Sequence, residues 1–199
     1  MADAPKRVRR KPRGPEPQEV EINHKTLLTA FMSIFEIAPS VEGAFDARLK
    51  HTLRQFLPPV VKGRRQTPNR RHSLADVFGF ALAMQLQRAF VTPTDAAQFV
   101  MREQGTMVAL FVRCLVRQDG YMLQLPLNAF ASIGAASPRS VSSAVTAGHA
   151  VLARGMAQSR AMPLLTIDVG ELADRLATSL TEAGVRSADI EVSIANLSY

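Results

Sequence analysis

The sequence predicts an α+β protein, a mostly helical N-terminal half followed by a small mixed α/β half. Three observations predict it. Apolar residues recur every three to four positions from about residue 25 to 104, the helical period. Beyond residue 105 the texture changes to Val-, Leu- and Phe-rich runs of strand length. Charge is also polarised: residues 47–72 carry eight Lys or Arg and no acid, whereas 163–199 carry six acids against Arg175 and Arg186.

Residues 1–22 are rich in Pro, Arg and Glu with little to bury, and read as a disordered basic arm. Leu27, Leu28, Phe31, Ile34 and Phe35 line one face of a first helix over 25–37, which Ala38-Pro39 should end. Val41, Phe45, Leu49, Leu53 and Phe56 give a second helix over 41–57, with Arg48, Lys50, His51 and Arg54 on its other face. Pro58-Pro59 stops it. Residues 60–72 hold Gly63, Pro68 and Asn69, all turn formers, among Lys62, Arg64, Arg65, Arg70 and Arg71. Their flanks could pair as two short strands. Ser73 and Asp76 form a capping-box signature for a third helix ending near Phe90. Thr92-Pro93-Thr94-Asp95 opens a fourth that runs to Gly105, with Thr92 as cap and Pro93 in the first position.

In the second half, residues 107–127 alternate around Asp119-Gly120 and predict a β-hairpin. A small-residue connector spans 128–138, and the Ala/Ser/Val-rich 139–154 reads as helical. LLTIDV at 164–169 reads as a buried strand, 170–184 as an amphipathic helix with a Gly stop, and 189–197 as a last strand. The expected organisation is an arm over 1–22, a helical domain over 23–105, and an α/β dimerisation or effector domain over 106–199.

The chain has 199 residues, 47% of them hydrophobic, and a net charge of +7. No run approaches the roughly 18 apolar residues of a transmembrane helix, and no apolar segment follows the basic N-terminus as a secretory signal requires. The single cysteine, Cys114, excludes an intramolecular disulfide and suits a reducing compartment, so a cytoplasmic protein with no membrane partner is expected.

Catalytic chemistry is thinly represented. His24, His51, His72 and His149 stand far apart, outside any metal-ligand spacing, so no metal is expected. No phosphate-cradling glycine loop or nucleophile elbow is present, and no cofactor is expected. Asp168 ends a strand where catalytic acids can sit, but it reads more simply as a lead into the next helix. Cys114 lacks a basic neighbour that would activate it. No catalytic residue is assigned, and the chain is read as a non-enzyme.

A nucleic-acid constellation is better supported, because basic segments attract a polyanion by counterion release. The order of helix, turn, helix with a basic outer face, Pro-Pro corner, basic loop and capped helix is that of a winged helix-turn-helix. LKHTLRQFLPP at 49–59, GRR at 63–65 and RRHSLADV at 70–77 together resemble the DNA-binding domain of MerR-like regulators. The resemblance covers residues 24–104. It implies that Arg48, Lys50, His51 and Arg54 belong to a recognition helix, and Lys62, Arg64, Arg65, Arg70 and Arg71 to a wing. The second half has no cysteine pair and no long coiled-coil helix, so only the DNA-binding module is implied. The expected function is a sequence-specific transcriptional regulator of prokaryotic or phage type. Double-stranded DNA is its partner, with a homodimeric state and a small-molecule or protein effector. Two alternatives stay open: an assembly protein that neutralises nucleic acid without reading it, and an enzyme with its site around Asp168.

Overall fold

The computed structural model describes residues 18–56, 70–117, 120–126, 144–147 and 164–198. Within them the chain is α+β. Helices α1 (His24–Ile34), α2 (Glu42–Gln55), α3 (Leu74–Arg88), α4 (Pro93–Arg102) and α5 (Gln104–Arg117) come first. Strands β1 (Tyr121–Pro126), β2 (Ala144–Ala147) and β3 (Leu164–Asp168) follow, then helices α6 (Val169–Glu182) and α7 (Ser187–Leu197). The strands form one antiparallel sheet in the order β2-β1-β3, with Leu123 opposite Val145 on one side and Ile167 on the other. No helix among the described residues is long and apolar enough to cross a membrane.

Local signals set the helix starts. Asn23, Ser73, Thr92 and Asp168 each accept a backbone N–H of the first turn of α1, α3, α4 and α6. Ser73 and Asp76 make a complete capping box. Three helices end alike. In α1, α3 and α6 the chain turns left-handed at Glu36, Phe90 and Gly184, with φ of 55°, 65° and 95°. The next residues, Ile37, Val91 and Val185, return their N–H groups to the carbonyls of Met32, Leu86 and Leu180 at 2.9, 3.2 and 3.0 Å. Each of these residues is apolar and packs on the core, as a Schellman motif requires. So α1 stops at Ile34, before Pro39, which instead opens a single 3₁₀ turn over Pro39–Val41.

Three expected elements are different. Residues 107–117 are not a hairpin strand but the body of α5. Met107, Leu110, Phe111 and Cys114 are buried at i, i+3, i+4 and i+7, so the helical period prevails over the β propensity of the run. Among the described residues of the predicted hairpin, only Tyr121–Pro126 is a strand. Residues 189–197 are likewise helical: Ile190 and Ser193 are buried at helical spacing, and the Ile/Val alternation that suggested a strand is incidental. Residues 144–147, expected as helix, pair with β1, while the rest of 139–154 lies outside the described residues. The connector 128–138, Asp119 and the arm to residue 17 also lie outside them. Residues 18–22, assigned to the arm, are built into the fold: Val20 and Ile22 are buried, and Ile22 bridges His72.

The core is one cluster that crosses residue 105. Phe31 of α1, Phe78 and Leu82 of α3, Phe99 of α4, Phe111 of α5, Leu123 of β1 and Leu176 of α6 are fully buried, and all belong to it. Helix α1 lies along α6, where Ser33 and Ser179 hydroxyls meet at 3.2 Å and Arg175 donates to the Ile34 carbonyl and to Glu36.

Candidate nucleic-acid interface

Helix α2 buries Phe45, Leu49 and Thr52 at i, i+4 and i+7, which turns Ala47, Lys50, His51 and Arg54 outward at i, i+3, i+4 and i+7. A polar pair inside the core sets this rotation. Gln87 of α3 donates Nε2 to Thr52 Oγ1 at 2.9 Å, and Thr52 donates onward to the Arg48 carbonyl at 3.1 Å. Both side chains are buried. Arg48 is exposed and reaches the Gln87 Oε1 with its Nε at 3.5 Å. At the C-terminal end of α2, Thr94 of α4 donates to Gln55 at 3.5 Å.

The cations are not equivalent. Lys50 donates to Asp46 at 2.6 Å, and His24 meets the other oxygen of that carboxylate at 2.7 Å. Burial pushes the Asp46 carboxyl up, but the hydrogen bonds from Lys50 and His24 outweigh it and hold the group below its usual range. Asp46 therefore stays ionised and offsets part of the charge of Lys50. It stands one residue before the acid-free tract, which is how the sequence reading passed over it. Arg71 is paired with Glu21, an acid of the segment assigned to the arm. His51, Arg54 and Arg70 are exposed and have no ion-pair partner among the described residues. Arg54 also lies in the last turn of α2, where its charge complements the helix dipole. Lys62, Arg64 and Arg65 fall outside the described residues.

The basic loop is anchored at both ends on one aromatic ring. Phe56, just before it, meets Phe80 edge-on at 4.9 Å; His72, just after it, meets the same ring edge-on at 5.1 Å. His72 is held further by a two-way bridge, its N–H and C=O exchanging 2.9 Å bonds with those of Ile22. Its ring is buried, and Nδ1 finds no partner among the described residues. Burial, aided by the charge of Arg70 and partly opposed by Asp76, pushes the His72 pKa down, so the ring is neutral at physiological pH.

Comparison with protein-family models, curated proteins and solved structures finds no match to this chain. The geometry of these residues is what bears on function.

The residues weighed for other chemistry have local structural roles. Asp168 accepts the Glu171 N–H at 2.8 Å as the cap of α6. Cys114 is buried in α5, and burial, with the nearby charges of Asp174 and Asp168, pushes its thiol up to about 11. Among the described residues no cluster of three or more His, Cys, Asp or Glu could hold a metal ion. Sequence reasoning missed Gln87, Phe80 and Ile22, the three residues that orient α2 and anchor the loop. Nothing local marks them; each acts on a partner at least 24 residues away, as Phe80 does on Phe56.

Proposed function

We propose that the chain is a sequence-specific, double-stranded-DNA-binding transcriptional regulator of prokaryotic or phage type, built on a winged helix-turn-helix. In this reading α2 enters the major groove and presents Lys50, His51 and Arg54 to base edges. Arg48 supports the helix from its flank, and the loop bearing Lys62, Arg64, Arg65 and Arg70 follows the adjacent phosphates. The observation that carries it is the pinned geometry: an outward basic helix face, then a basic segment whose two ends share the Phe80 ring. A tethered tail that only solvates a chain end has no use for such anchors. The α/β half supplies self-association or an effector response, since a symmetric operator matches a dimer.

Fluorescence anisotropy on genomic fragments across a salt series tests it. Log affinity should fall linearly with log salt, and each lost phosphate contact should flatten the slope by about 0.9. Arg64→Ala with Arg65→Ala should weaken all duplexes alike, whereas Arg54→Ala should change which sequences are selected from a random pool. Binding with no sequence preference in that selection points to an assembly protein that neutralises nucleic acid; absence of binding at low salt ends both readings.

A further inference from the structure

A cavity of about 140 Å³ lies between α3, α4 and α5. Phe78, Phe80, Val100 and Met107 form its walls, and all four are buried. Gly79 also lines it, where α3 and α4 approach so closely that an added Cβ would stand 3.1 Å from Val100 Cγ1. The Met thioether is a polarisable surface that adapts to a flat aromatic guest. The size is that of an engineered apolar cavity of about 150 Å³ that admits benzene. One six-membered ring is of the size to occupy it.

The mouth is chemically different from the walls. Arg70 and Gln104 are exposed there, beside the half-exposed Met101. Arg70 has no ion-pair partner among the described residues, and a guanidinium so placed can hold an anion entering with the ring. The other charged group at the mouth, Asp76, closes the capping box by accepting the Ser73 N–H at 3.2 Å, and its charge, which also acts on His72, opposes an entering anion that Arg70 has to attract more strongly. A cavity of this volume with apolar walls, lined also by a guanidinium that has no ion-pair partner among the described residues, is complementary to a single-ring aromatic carboxylate.

We propose that this cavity is a binding site for single-ring aromatic carboxylates, the ring between Phe78, Phe80 and Val100 and the carboxylate on Arg70. The assignment rests on the cavity and not on the DNA reading. An occupant would nevertheless touch Phe56 and Arg70 together, the residues on either side of the basic loop. A ligand there is therefore placed to act as the small-molecule effector of a DNA-binding protein.

The test uses the full chain without DNA and three probes: benzoate, toluene and acetate. Thermal midpoints and saturation-transfer NMR are read for each. Benzoate should raise the midpoint in a dose-dependent way and show saturation transfer to its ring protons; toluene should do so more weakly, and acetate not at all. Arg70→Gln, a change at an exposed position, should weaken benzoate by about tenfold and leave toluene unchanged. Val108→Phe, at the rim of the cavity, should weaken both ring probes. Equal responses to benzoate and acetate would mean surface anion binding and overturn the proposal. So would unaltered benzoate affinity in Arg70→Gln, or no response to benzoate in the native chain. Failure of the chain to bind DNA leaves these readouts intact, so the two readings fail separately.

Discussion

Thr52 on α2 and Gln87 on α3 satisfy each other inside the core, where neither has water to fall back on. Thr52→Val alone leaves the buried Gln87 amide nitrogen without its oxygen acceptor and should destabilise the fold by about 1–3 kcal/mol in urea unfolding, whereas Gln87→Leu leaves Thr52 its bond to the Arg48 carbonyl and should cost less. The double variant should recover much of that loss, since replacing both partners removes the orphaned group; simple additivity would mean that the pair is not coupled. His72 makes a different prediction. Its folded-state pKa is lowered, so as pH falls the unfolded chain takes up the proton first. Its contribution to stability is complete above the ordinary histidine value of 6.5 and is lost as pH drops through it. The thermal midpoint should fall as pH is taken from about 7.5 to about 5.5, and His72→Phe should flatten that dependence. An unchanged pH slope in the variant would assign the effect to other groups.

Among the elements, the three left-handed helix ends carry an unequal load. Gly184 adopts φ of 95° freely, but Glu36 and Phe90 have a Cβ that the left-handed region crowds. Phe90 is also 98% exposed, so packing does not repay the strain. Phe90→Gly should stabilise the protein by up to about 1 kcal/mol, read as a higher denaturation midpoint at unchanged slope; a loss of stability would show that the ring has contacts that outweigh its backbone. Elements governed by nearest neighbours were legible in the sequence. Ser73 with Asp76 marks the start of α3, and Thr92-Pro93 that of α4, because a cap is a contact across three residues. Helices α5 and α7 were not legible, because α5 is a dense run of Val, Leu and Phe and α7 places Ile190, Val192 and Ile194 at strand spacing, and long-range packing decides between strand and helix. For the candidate site, the exposed face of α2 followed from periodicity. The damping of Lys50 by Asp46 and the anchoring of the loop did not, since the latter depends on a ring 24 residues from one end of the loop and 8 from the other.

At the scale of the whole molecule, composition suggested a boundary near residue 105, and the packing runs through it. Helix α1 lies along α6, joined through Ser33–Ser179 and Arg175–Ile34, and α5 closes over Phe78 of α3 with a stacked contact to Phe111 at 4.0 Å. A fragment of residues 18–105 should therefore lack a cooperative unfolding transition and bind hydrophobic dyes, whereas the full chain should unfold in one step. A sharp transition in the fragment would restore an independent N-terminal domain. If the DNA reading holds, the same continuity means that whatever associates with or binds the α/β half acts on the body that carries α2.

The shared ring at the root of the basic loop has an evolutionary consequence. With Phe56 and His72 fixed on Phe80, the distance between the ends of the loop is set by the fold and is independent of the loop's length. Doubling the chain between such anchors adds only about 0.6 kcal/mol of closure entropy. Closure entropy alone therefore sets little limit on the length of the segment between Phe56 and His72. The framework can diversify what it touches by exchanging that one segment, and an engineer can do the same by grafting.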